Sequence, residues 1–374
     1  MLFSGINLSI FNLKKLFFMS HQLKIKSFDF FQLYDRFIND SVKGKRLQPN
    51  GKKVSAGTIV SYKCTRGLLV KFVKNSSFEL RINQVKKFTT RQLHAEKNYW
   101  SKFYKHFTNY LHNDCGHFDN YVGLNMKNIR TFFGYLNKNL LIDTGGFHKQ
   151  LYVRKEEISI VTLLPEDLNF FIYDSVFAEN LSNKLKRAKD IFVFGCSVAL
   201  RFSDLMCLRK ANIRCINQEY YLIARSLKTQ TETQIKLPDY AVAIIKKYSL
   251  QKGGWLLPRC TNGALNKYVK QLTEKAGLIQ PVKKIRDIRG VEKEISMMEG
   301  LKRKSYRFCD LVTTHTMRRT AITTMLSLGM PEHIVRKISG HAPGSKEFYR
   351  YVSLAQGYQD RETEIMFAKL KERA

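Results

Sequence analysis

His315-Thr-Met-Arg318-Arg319-Thr most constrains what this chain can fold into. It opens an apolar stretch, HTMRRTAITTML, where a buried charge without a partner is costly. His315 and Arg318 are one helical turn apart, so a helix here points both into one pocket. The rest of the fold must bring polar partners to that pocket. His341, in ISGHAPG, follows 23 residues after Arg318, and Tyr351 follows ten residues later. Upstream, Arg201 lies in the apolar run ALRFSDLMCL and Lys228 in SLKTQTETQIKLP. Asp204 is three residues beyond Arg201, on the same face of a short helix, and can orient it.

These residue types suit attack on a phosphodiester. Cutting and rejoining a strand without an energy source needs a protein nucleophile that stores the ester bond covalently. It also needs donors for the charge on the non-bridging oxygens, and groups that move protons to and from the reacting oxygens. Tyr351 is the candidate nucleophile, with Tyr349 as a rival two residues away. A free phenol ionises near pH 10 and needs cationic neighbours to act at neutral pH. Arg201 and Arg318 each offer a planar fork to the phosphate oxygens. Arg319 suits that role less and pairs locally. Taken singly, a histidine is commonly structural, a turn lysine solvated and an arginine a surface charge. The combination carries the signal.

Lys and Arg number 64 against 31 Asp and Glu, a formal charge of +33 over 374 residues. Such an excess calls for a polyanion, and nucleic acid is the expected partner. A membrane surface is disfavoured because no run of about 18 apolar residues appears. Seven cysteines are dispersed without CxxC pairs, which argues against a disulfide framework and a zinc site and fits a reducing compartment. No carboxylate cluster has metal-binding spacing, which disfavours a metal-dependent nuclease. The first residues, MLFSGINLSIFNLKKLFFMS, lack a small-residue cleavage site and read as no secretory signal; Met19 is an alternative start.

Helical periodicity governs the first half. FDFFQLYDRFI is helical, and SVKGKRLQPNGKKVSAGT reads either as a phosphate-facing mobile segment or as a solvated loop. From Thr58 to about Leu141, the stripes Ile59, Tyr62, Leu69, Phe72; Phe103, Phe107, Tyr110, Leu111; and Ile129, Phe133, Leu136, Leu140 predict a small bundle. Lys102, Lys105, Lys127, Arg130 and Lys138 fall on its other faces, suited to a DNA backbone. Gly145 and Gly146 break the pattern, and a new helix starts at Pro165. NQEYYLIARSLKTQTETQIKLPD predicts a β-hairpin with Lys228 near its bend. Helices are expected at 240–250 and 262–276. Residues 281–310 read either as a further hairpin or as a DNA-facing loop.

The boxes around Arg201, His315, Arg318, His341 and Tyr351 resemble the tyrosine recombinases, the phage-integrase family. The details most resemble integrases of mobile elements in Bacteroidetes-type bacteria. Phe348-Tyr349-Arg350-Tyr351-Val352 matches the family's aromatic–basic–tyrosine ending, which favours Tyr351 over Tyr349. SVALRF departs from the usual threonine-glycine before the first arginine, and SGH departs from LGH; neither removes a catalytic group. The resemblance implies a mainly α fold with a small β-sheet or hairpin (α+β). A SAM-like helical core-binding domain would precede a tyrosine-recombinase catalytic domain. The expected organisation is a partly mobile extension at 1–57, a helical DNA clamp at 58–148, a linker at 149–159 and a catalytic domain at 160–374 ending in a tail helix.

By resemblance, His315 hydrogen-bonds the phosphate and shares in proton transfer, His341 lies beside the phosphate, and Lys228 protonates the leaving 5′ oxygen. The implied activity is site-specific strand exchange on double-stranded DNA through a 3′-phosphotyrosyl link, with no cofactor and no metal. Implied partners are a homotetramer joined by tail helices and accessory DNA-bending or directionality factors, in the bacterial cytoplasm at the nucleoid. A type IB topoisomerase or a catalytically silent DNA-binding protein of the same fold are the alternatives.

Overall fold

A computed structural model describes residues 25–227, 231–299 and 302–371. The chain divides into two compact units. One holds the described residues up to 158 together with 285–293; the other holds 159–284 and those from 294 onward.

The first unit runs β1 (Ser27–Asp29), α1 (Phe30–Val42), α2 (Ala56–Asn75), β2 (Arg81–Asn83), α3 (Thr90–Asn109) and α4 (Asp119–Asn139). Helix starts follow local chemistry: the side chains of Asp29, Ser55 and Thr89 each accept from a backbone N–H in the first turn. The core is aromatic, with Phe72, Trp100, Phe103, Phe107 and Phe133 from α2–α4 meeting Phe30, Tyr34 and Phe37 from α1. The core therefore begins well before residue 58. Between α2 and α4, Thr65 Oγ1 donates to Asn125 Oδ1 (2.8 Å) and accepts from Asn128 Nδ2 (2.9 Å), a buried polar contact that sets helix register. Lys102, Lys105, Lys127 and Lys138 stay exposed.

Residues 281–307 form short antiparallel pairs, the longest being the hairpin of Lys284–Ile288 and Val291–Ile295. Its tip belongs to the first unit. Arg289 (φ 58°) and Gly290 (φ 79°) make the turn, whose two positive φ values fit a tight hairpin connection. Both backbone N–H groups donate to the Asp119 carboxylate, at 2.8 and 2.7 Å. Arg286 donates from Nε and Nη2 to the two oxygens of Glu156 (2.9 and 2.6 Å), and Asp287 N adds a third bond (2.7 Å). Burial alone would raise the Glu156 carboxyl, but these bonds and one from Asn120 outweigh it and hold it below the usual range. Arg286→Ala strands that buried carboxylate and should cost about 3–5 kcal/mol. Hydrogen exchange at the Arg289 and Gly290 amides reads this directly; unchanged protection would mean the ion pair does not hold the hairpin.

The second unit contains α5 (Pro165–Tyr173), α6 (Ser175–Glu179), α7 (Asn183–Val198), α8 (Phe202–Leu205), β3 (Ile213–Ile216), β4 (Glu219–Arg225), β5 (Glu232–Lys236), α9 (Asp239–Lys247) and α10 (Asn262–Lys275). After the short strands come α11 (Phe308–Leu311), α12 (Thr314–Ser327), α13 (Glu332–Ser339) and α14 (Lys346–Lys371). β3, β4 and β5 form one antiparallel sheet, with Leu222 opposite both Ile213 and Ile235. The mainly α, α+β class expected from the sequence is what the chain adopts. The tail helix is not separate: α14 carries Tyr351 and continues without a break. Helix α7 packs centrally against α10 and α12, and Phe192, Phe194, Leu265, Val269 and Met317 fill the space around it. Helix α12 packs on its other side against α14. Among the described residues, no helix is long and apolar enough to cross a membrane.

Candidate active site

Helix α12 starts where Thr314 donates from its backbone N and its Oγ1 to Asn266 and Asn262 of α10 (2.8 Å each). The next turn lies close to α7 because residue 195 is glycine; a Cβ there would stand 2.6 Å from Met317 Sδ and 3.1 Å from its Cβ. This close approach lets Arg318 reach across the end of α7. Arg318 is 3% exposed. Its Nη1 donates to Ala199 O (2.7 Å) and its Nη2 to Ser339 O (2.6 Å). Burial and the charge of Arg201 lower its pKa to about 10, against the pull of Tyr351 and Asp204, so it stays cationic at neutral pH.

Ala199 caps α7 in the left-handed conformation, φ 53°, a position that glycine fills without strain. The helix thus ends before Arg201, which stands in extended backbone ahead of α8 and not within a helix. Arg201 Nη1 donates to Ser226 Oγ at 3.3 Å. Asp204 is buried and accepts at Oδ1 from Leu227 N (3.2 Å), while its Oδ2 meets no partner. Asp204 therefore fixes the end of β4 and does not grip Arg201 as the helical spacing implied. Lys228, the next residue, lies outside the described residues.

His315 keeps part of its surface in solvent. Partial burial, with the charges of Arg319, Arg318 and Arg201, nevertheless holds its imidazole down to about 4, against Glu347. His341 is likewise lowered to about 4, by burial and by Arg318, Arg201 and His315. Both rings are neutral at pH 7. Gly340 ends α13 with φ 63° and turns the chain so that His341 faces Arg318. Arg318 Nη2 lies 3.4 Å from His341 Nε2 and can only donate, which assigns the ring proton to Nδ1. That Nδ1 donates to Ser339 Oγ at 2.8 Å. The serine of SGH, a departure from the leucine form, thus orients the histidine. The sequence signal was the departure itself.

Tyr351 is 1% exposed on α14, packed against Ala199, Ala321, Ile322 and Val335, with its ring 5.9 Å from that of His341. Burial raises its pKa above the ordinary phenol value, and Arg319 and Arg318 pull against that rise. Tyr349, the rival, is 50% exposed. The charges of Arg201 and Arg318 thus both reach His315 and His341, and that of Arg318 reaches Tyr351. Such a site can hold one phosphate diester between two guanidinium groups, with neutral imidazoles and a protonated phenol around it.

Residues 177–357 match the phage integrase family. No curated protein matches the chain significantly. Several solved structures share its fold. A XerH site-specific recombinase bound to palindromic difH substrate, in a post-cleavage complex, is 12% identical, with TM-score 0.57 over 91% of this chain and 94% of that one. A lambda integrase tetramer bound to a Holliday junction is 14% identical, with TM-score 0.52 over 94% and 88%. The Tn1549 transposon integrase in complex with a circular intermediate DNA is 16% identical, with TM-score 0.51 over 88% and 94%. At these identities the likeness speaks for the fold.

Proposed function

We propose, for a chain that belongs to the phage integrase family through residues 177–357, that Tyr351 is the nucleophile of a site-specific DNA recombinase. The observation that carries this reading is the convergence of the buried Tyr351 phenol with Arg318 and His341 in one pocket. Tyr351 Oη bonds to the scissile phosphorus as the bond from phosphorus to the 5′ oxygen breaks, leaving a 3′-phosphotyrosyl link. Arg201 and Arg318 hold the non-bridging oxygens, where a bidentate fork fits a phosphate. His341 lies beside them, its ring held by Ser339. Neutral His315 accepts the phenolic proton, and Lys228 gives one to the leaving 5′ oxygen. The link conserves bond energy for rejoining, so no nucleotide is consumed.

Double-stranded DNA is the substrate, gripped by the basic helical unit and the catalytic unit of a cytoplasmic, nucleoid-acting bacterial protein. A homotetramer joined through α14 is the working assembly. On that helix Ile365, Met366 and Phe367 are 47%, 48% and 56% exposed, apolar surface that a neighbouring copy would cover. The test is incubation of the purified chain in EDTA with DNA bearing a nick beside the scissile phosphate. A denaturant-resistant protein–DNA adduct attached at a 3′ end is expected. Binding without any adduct would favour a silent DNA-binding protein; an adduct at a 5′ end would overturn the proposed chemistry.

A further inference from the structure

Arg319 follows Arg318 on α12 and lies one turn beyond His315, so His315 and Arg319 share a helix face. Arg318 commits two of its five donors to Ala199 O and Ser339 O, so the three that remain would have to serve the phosphate oxygens and the phenol together. The Arg319 Nε is buried and meets no partner. Helix α14 packs on α12, where Tyr351 joins the apolar cluster of Ala321 and Ile322 and feels the Arg319 charge.

We infer that Arg319 is a further catalytic residue: its guanidinium meets the Tyr351 oxygen and carries the negative charge that oxygen bears while attacking phosphorus. Arg201 and Arg318 are thereby left to the non-bridging oxygens. The inference rests on the reading of Tyr351 as nucleophile.

The charges facing the phenol have clear signs. From α12, Arg319 acts through its charge and a hydrogen bond, and Arg318 through its charge; both favour the phenolate against burial. From its own helix, Glu347 opposes it one turn away, while ion-paired to Arg350 at 3.5 Å. From the end of α13, His341 adds a neutral ring. Arg201, ahead of α8, acts on Arg318 and both histidines. Glu347 also pulls the His315 ring upward, against the burial and the three arginines that hold it low. The balance is complete: the phenol loses its proton to His315, the new oxygen–phosphorus bond forms, and the 5′ oxygen leaves with a proton from Lys228. Arg319 exchanges no proton and only stabilises charge.

The experiment measures single-turnover adduct formation on the nicked DNA from pH 6 to 10, for the wild-type chain, Arg319→Gln and Arg319→Lys. Arg319→Gln should be slower at pH 7 by on the order of 10²–10³. Its rate should climb further into the alkaline range, narrowing the gap, while Arg319→Lys recovers most of the loss. On DNA carrying sulfur in place of the bridging 5′ oxygen, the leaving group needs no acid, so the Arg319→Gln deficit should persist. A wild-type pH profile, an accelerated rate, or a deficit erased by sulfur would each overturn the inference. Unfolding is separated by DNA binding and by Arg319→Lys. Adduct absent from the wild-type chain, or undiminished in Tyr351→Phe, would instead sink the assignment of the nucleophile.

Discussion

Tyr351→Phe should bind DNA as the wild-type chain does and form no covalent adduct. The ring itself is structural: it is 1% exposed and packs with Phe348, Ile322, Val335 and Ala355. Phenylalanine keeps that packing and removes only the hydroxyl. An ordinary loss of fold is therefore not expected, and the melting temperature should stay close to wild type. The chemical loss should be complete, because the Ser339 hydroxyl, the other one against His341, is held between Nδ1 of that ring and Arg336 O. Tyr349→Phe is the paired control. Its side chain is half exposed, so its variant should give wild-type adduct. Adduct persisting in Tyr351→Phe and vanishing in Tyr349→Phe would move the nucleophile.

Periodicity made much of the fold legible. Phe103, Phe107 and Leu111 repeat at helical spacing and are all fully buried, as a stripe on one face must be. Pro165 starts α5, with Leu164 N donating to the Asp167 carboxylate at 3.1 Å. The alternation around Tyr220–Ala224 and Thr233–Ile235 gave two of the three strands of the sheet. What stayed hidden depends on distant or unusual partners. The turn at Arg289-Gly290 is held by Asp119, some 170 positions away, so neither a hairpin nor a loop could be chosen for residues 281–310. An arginine at positive φ gives no turn signal of its own.

The candidate residues are legible as residue types, and less so in the local geometry that holds them. The departure at SVALRF removes no catalytic group, but φ 53° at Ala199 imposes strain on the order of 1 kcal/mol and fixes where α7 stops. That stop puts Arg201 in extended backbone and turns Asp204 toward Leu227. Sequence alone makes Arg319 the less catalytic of the two arginines, because helical spacing does not reveal which helix will cover a given face. The packing of α14 on α12 appears only in the fold, and with it the charge of Arg319 on Tyr351.

Arg318→Ala and Arg318→Lys should both lower adduct formation by about 10³–10⁵, the loss seen when a phosphate-facing arginine is removed in phosphoryl transfer. They should differ in stability. Alanine leaves Ala199 O and Ser339 O without a donor in the core, at about 1–3 kcal/mol each. It also releases His341, whose Nε2 faces the guanidinium. Lysine keeps the charge and one donor point, yet it cannot bridge two carbonyls about a planar fork while also meeting a phosphate. Arg318→Lys should therefore melt closer to wild type than alanine and still cleave poorly. At moderate salt, DNA binding should change little for either, because one buried cation is a small part of a formal charge of +33. Wild-type cleavage by a folded Arg318→Lys chain would show that charge alone suffices. The fork geometry that joins α7, α12 and α13 at this residue would then serve the fold and not the reaction.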